Sequence, residues 1–227
     1  MRTQSVVSLD PIDRSRKREP GFLGRIFMTR HFRGKGMSHT DEFGHYLFCG
    51  AQRSGKTVSC IWFAEFLTKK YHKHGLGVIL YSNIGLGLPI TRDTLSPIIR
   101  KIQYARDTVH IFVIDELQSY FPKDTKNIEL LKLIDELTGE FSQLGKRQIY
   151  VLSTAQIYGR VNKNLREQCL YMINCRRSKL SNKVVNDFIR GEDIMCDDLG
   201  RWSGSPCRIY VHGLPEMQFD THKMVLE

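Results

Sequence analysis

Gly50-Ala51-Gln52-Arg53-Ser54-Gly55-Lys56-Thr57 has the form G-x-x-x-x-G-K-T. The run before it, His45-Tyr46-Leu47-Phe48-Cys49, is apolar and reads as a strand; Val58 to Leu67 after it reads as a helix. Strand, glycine loop and helix in that order predict a phosphate-binding loop. Gly50 and Gly55 permit backbone conformations that a Cβ would forbid. The loop N–H groups can then turn inward as an anion nest above a helix N-terminus. All eight residues, Gly50 through Thr57, are therefore candidate nucleotide contacts. Lys56 is expected to reach the outer phosphates, and the Thr57 hydroxyl to ligate Mg²⁺.

Working outward, apolar runs recur at Gly77–Ser82, Val109–Ile114, Gln148–Ser153, Leu170–Asn174 and Cys207–Val211, short and continuous as in strands covered on both faces. Between them, helices are expected over Thr94–Ala105, Lys126–Leu144 and Ser181–Ile189. In the second of these, Ile128, Leu131, Ile134, Leu137 and Phe141 keep helical spacing. Alternating strands and helices predict an α/β fold: a mainly parallel central sheet flanked by helices on both faces. With the G-x-x-x-x-G-K-T loop it resembles the P-loop NTPases of RecA-like, additional-strand type. Ligands of such sheets bind beyond the carboxyl ends of the strands.

The domain is expected over residues 44–227, preceded by a basic arm over 1–43. Up to Lys35 the arm has nine Lys/Arg against three Asp/Glu. The whole chain of 227 residues carries a formal charge of +10, which points to a polyanionic partner. A second basic stretch, Arg160 to Arg190, suits sequence-independent phosphate contacts. The six cysteines form no C-x-x-C pair, so neither a zinc site nor a disulfide scaffold is expected, and a reducing compartment fits. No apolar run is long enough to span a bilayer.

Asp115-Glu116 closes the Val109–Ile114 run. An acid pair there suits metal chemistry: Asp115 accepts from Mg²⁺-bound water and Glu116 serves as general base toward the attacking water. Gln156, just past the Gln148–Ser153 run, is placed to sense the γ-phosphate and order that water. Arg147, before the same run, is the candidate arginine finger for a neighbouring subunit, with Arg160 and Arg166 as competitors.

Gly50-A-Q-R-S-G-K-Thr57, Val113-I-D-E-Leu117, Lys146-Arg147 and Ser153-T-A-Gln156 together resemble the HerA–FtsK superfamily of DNA-pumping ATPases over about residues 44–190. The resemblance implies ATP and Mg²⁺ as cofactors, non-sequence-specific DNA as partner, and a ring, usually a hexamer. No Asn/Thr-Lys-x-Asp guanine motif occurs. The branch it most resembles packages viral genomes, which implies a capsid or vertex protein as partner and a soluble location in host cytoplasm or virion. Ser82-Asn83-Ile84 and Asp115-Glu116-Leu-Gln-Ser-Tyr-Phe121-Pro122 also resemble the zonula-occludens-toxin-like assembly ATPases of filamentous phages, though members of that branch usually carry a membrane helix. A plasmid-transfer pump is a further alternative. A nucleotide-switched DNA-binding structural protein is an alternative of another class, against which Glu116 argues, since a switch needs no strong base. A small-molecule kinase would need neither Glu116 nor Gln156.

Overall fold

A computed structural model describes residues 42–178, 183–197 and 201–217. Glu42–Glu227 forms a compact unit. The basic arm expected over 1–43 lies outside the described residues except for its last two positions. In chain order the elements are β1 (Gly44–Cys49), α1 (Lys56–Lys73), β2 (Gly77–Ser82), β3 (Leu88–Pro89), α2 (Arg92–Lys101), β4 (Thr108–Ile114), α3 (Leu117–Tyr120) and α4 (Ile128–Phe141). There follow β5 (Ile149–Ala155), α5 (Lys163–Glu167), β6 (Cys169–Arg177), β7 (Val184–Arg190), the small ribbon β8 (Met195–Cys196) and β9 (Trp202–Ser203), and β10 (Arg208–His212).

The sheet order is β10-β7-β6-β1-β5-β4-β2-β3. Strands β6, β1, β5, β4, β2 and β3 are parallel; β7 pairs antiparallel with β6, and β10 antiparallel with β7. β5 stands between β1 and β4, so the chain leaves it between the phosphate loop and the acid pair. One face is covered by α1, through Ile61, Phe63 and Leu67 against Tyr46, Phe48 and Tyr150. The other is covered by α2, α4 and α5, through Leu95, Ile99, Ile134, Leu137 and Leu165 against Leu47, Phe112 and Val151. With both faces packed, the central strands have no polar face to show, which is why they read as unbroken apolar runs.

Three expected elements differ. Residues 184–190, expected in a helix, are the antiparallel strand β7. Both of its faces are largely covered: Asn186 and Phe188 are buried on the α1 side and Asp187 and Ile189 on the other, which hides the alternation of a strand. α4 is shorter than Lys126–Leu144. Asn127 caps it through its side chain, and only Ile134, Leu137 and Phe141 are buried, while Ile128 and Leu131 are exposed. α2 begins at Arg92 rather than Thr94, because Thr91 and Thr94 close a reciprocal capping box.

Several buried polar groups are paired across strands. His45 on β1 lies 2.6 Å from Ser153 Oγ on β5 and 3.2 Å from Cys169 Sγ on β6. Burial pushes its pKa down to about 3. An imidazole held neutral takes up a proton only on unfolding, so stability is full above the ordinary value of 6.5 and is lost as pH falls from there toward 3. The slope is about 1.4 kcal/mol per pH unit for this one group. Burial lowers His110 and His212 as well, with the same sign. Melting curves from pH 7 to pH 5 are expected to show falling stability, with the slope reduced by about one proton in His45→Gln; an unchanged slope would contradict this account.

Candidate nucleotide site

The carboxyl ends of β1, β4 and β5 bring the expected residues together. β1 runs into the loop, where Gly50 has φ 155° and Gly55 φ 92°. A Cβ on Gly50 would fall 2.6 Å from the Cys175 carbonyl oxygen and 2.5 Å from Ser54 Oγ, and one on Gly55 would fall 2.8 Å from a Val184 methyl. Both positions therefore exclude side chains by space as well as by dihedral angle. Ser54 N–H donates to the Ala51 carbonyl at 3.1 Å, closing the turn. Ala51, Gln52 and Arg53 are exposed at its rim, while Lys56 is buried and its Nζ donates across the loop to the Ala51 carbonyl at 3.3 Å.

Thr57, on the first turn of α1, donates from Oγ1 to Asp115 Oδ1 at 2.9 Å. Asp115 is buried at the end of β4. Glu116 follows with φ 55°, a left-handed conformation that costs a non-glycine residue on the order of 1–3 kcal/mol. The turn it makes starts α3 and swings its carboxylate toward β5, where Gln156 Nε2 donates to Oε2 at 3.3 Å and Gln118 Nε2 donates to the same oxygen.

The residues fit the groups that the sequence implies. Thr57 and Asp115 supply adjacent oxygen donors, the set a hard divalent cation such as Mg²⁺ takes. The loop is a cradle that only glycine allows, and Ser54 Oγ is buried in it with no hydrogen-bond partner among the described residues. The thiols of Cys49, Cys60 and Cys175 near the loop are all pushed up by burial, Cys175 to about 12, so they stay neutral beside it. Among the described residues no His/Cys/Asp/Glu cluster of three suggests a separate metal centre, and all six cysteines are free.

Arg147 is elsewhere. It lies before β5, at the amino end of that strand, opposite the carboxyl ends, and its Nη1 donates to Glu140 Oε2 at 2.6 Å and to the Ile99 carbonyl at 3.1 Å. There it ties α4 to the end of α2. Of its competitors, Arg160 is exposed, and Arg166 lies over the Tyr158 ring. In the second basic stretch Arg176 pairs with Asp187, while Arg177 and Lys183 are exposed at the turn end of the β6–β7 hairpin.

Two site residues carry roles that their sequence context does not reveal. Asn83, just past β2, accepts from Asp115 N–H at 2.8 Å and donates to the Asp115 carbonyl at 3.0 Å. Thr154, in β5, donates to Asp115 Oδ1 at 2.6 Å and accepts from Glu116 N–H at 2.9 Å. The available signal was polarity: Ser82-Asn83 and Ser153-Thr154 are polar pairs ending apolar runs, and polar groups so buried must be partnered.

No protein-family profile and no curated protein sequence matches the chain. Solved structures do. The N-terminal domain of zonular occludens toxin from Neisseria meningitidis superposes with TM-score 0.51 at 16% identity, covering 77% of this chain and 96% of that one. The pCW3 conjugation coupling protein TcpA with ATPγS superposes with TM-score 0.50 at 14% identity, covering 69% and 60%. The genome packaging NTPase B204 of Sulfolobus turreted icosahedral virus 2 with ATPγS gives 0.46 at 11% identity, covering 76% and 98%. At such identities the likeness is one of fold. Glycine loop, acid pair and strand order agree with it: the chain has the fold of the P-loop NTPases, with a mostly parallel sheet between helical layers.

Proposed function

We propose that the chain is an ATP-driven DNA-translocating motor whose task is to package a viral genome into a preformed capsid. The observation that carries this reading is the meeting of Lys56, Thr57, Asp115, Glu116 and Gln156 at the ends of three adjacent strands. The loop N–H groups and Lys56 hold the phosphates, while Thr57 and Asp115 hold the metal. Mg²⁺ so held would offset charge on the β- and γ-phosphates. The Glu116 carboxylate takes the proton of the attacking water, and Gln156, in contact with Glu116, orients that water against the γ-phosphate. Phosphoryl transfer is otherwise a matter of positioning and charge.

The motor reading draws on the +10 charge and on exposed Arg160, Lys163, Arg177 and Lys183 as phosphate contacts. Among the described residues no helix is long and apolar enough to cross a membrane. A ring, taken as a hexamer, and a capsid-vertex partner belong to the same proposal. In such a ring Arg147 would serve the neighbouring site only by giving up Glu140, and exposed Arg160 is the alternative. A second reading, filamentous-phage assembly, is favoured by the Asn83 turn: Ser82-Asn83-Ile84 carries part of that resemblance, and Asn83 grips the acid strand.

Steady-state hydrolysis with and without long DNA, and binding at two salt concentrations on unrelated sequences, test the motor. DNA is expected to stimulate hydrolysis, and affinity to fall steeply with salt with little sequence preference. Hydrolysis indifferent to DNA would favour the nucleotide switch, and a flat salt response or a strong preference for one sequence would count against the motor. Mixing Arg147→Ala with Glu116→Gln subunits should restore hydrolysis if Arg147 acts across subunits; co-assembled but inactive mixtures would move that role to Arg160.

A further inference from the structure

The geometry points to Thr154 as the residue that positions both acids of the site, an inference that rests on the ATPase reading above. Its side chain is fully buried, so it cannot itself touch a nucleotide. Its hydroxyl proton goes to Asp115 Oδ1 at 2.6 Å, and its oxygen accepts the N–H of Glu116 at 2.9 Å. One hydroxyl thus fixes the carboxylate that holds the metal and the peptide that carries the base. The same Oδ1 accepts from Thr57 at 2.9 Å, so Asp115 is gripped from α1 and from β5 together.

Asn83 completes the hold. It bonds both the N–H and the carbonyl of Asp115 from the β2 side, at 2.8 and 3.0 Å. The Asp115–Glu116 peptide is therefore clamped between the ends of β2 and β5. This clamp explains how Glu116 keeps its left-handed backbone with φ 55° at the end of a strand. Removing the Thr154 hydroxyl frees the peptide on one side and takes a donor from the metal-holding carboxylate. Partners of metal ligands at this remove typically govern affinity or activity by about 10–100-fold.

The test compares Thr154→Val, Thr154→Ala and Thr154→Ser. Binding of a fluorescent ATP analogue is measured over a Mg²⁺ titration in the full chain, with turnover measured in parallel at saturating Mg²⁺. In Thr154→Val the Mg²⁺ needed for half-maximal binding should rise about 10-fold or more and kcat should fall by about 10–100-fold, while metal-free binding of the analogue stays unchanged. Thr154→Ser should restore both, since it keeps the hydroxyl. If Thr154→Val does not fold, Thr154→Ala carries the same expectation against the Thr154→Ser reference. A folded Thr154→Val or Thr154→Ala with the parent's Mg²⁺ requirement and kcat would overturn the inference. So would a Thr154→Ser as impaired as Thr154→Ala. A parent chain with no Mg²⁺-dependent nucleotide binding would instead overturn the ATPase reading.

Discussion

Glu116→Gln is expected to bind ATP and to hydrolyse it about two to four decades more slowly than the parent, the range for loss of a positioned general base. The substitution is nearly isosteric, and the backbone bond from Glu116 N–H to Thr154 does not depend on the side chain. The amide oxygen can still accept from Gln156 Nε2, which now lies 3.3 Å from the carboxylate. Position and contacts are kept while the capacity to take a proton is lost, so the effect falls on the chemical step. Single-turnover hydrolysis together with equilibrium ATP binding separates the two quantities. Parent-like hydrolysis would remove Glu116 from the reaction and leave the switch as the better account.

The site was legible in the sequence to the extent that its chemistry is local. Gly50 to Thr57 is one continuous stretch whose spacing already states the loop's shape, and Asp115-Glu116 is a charged pair ending an apolar run. What was not legible is the hold on those residues, because it is made across the sheet. Asn83 is 32 residues and Thr154 is 39 residues from the acid they grip, and nothing in a single chain of letters pairs them. Arg147 shows the same limit from the other side. Its charge and its place before β5 were visible, but its bonds to Glu140 and to the Ile99 carbonyl depend on how α4 and α2 pack. β7 reads as a helix in the sequence for a related reason. A strand covered on both sides shows no alternation, and the Val184 side chain at its start packs beside Gly55.

Lys56→Ala is expected to lower ATP affinity by about 30-fold or more, since truncating one partner of a buried charged contact typically costs about 2–5 kcal/mol. Lys56 is buried at 7% exposure, and its ammonium bridges to the Ala51 carbonyl at 3.3 Å, across the mouth that the phosphates would enter. Among the described residues that is the one hydrogen bond of its side chain, and alanine suits a helix start, so the fold should tolerate the change. Gly50→Ala provides the contrast. Its Cβ would press on the Cys175 carbonyl at 2.6 Å, so it should lower both the melting temperature and the affinity. Lys56→Ala should lower the affinity alone. Titration calorimetry with a non-hydrolysable ATP analogue, paired with thermal melts of both variants, reads the two effects apart. Parent-like affinity in Lys56→Ala would mean that the loop does not bind phosphate through its lysine, and the assignment of the site would fall with it.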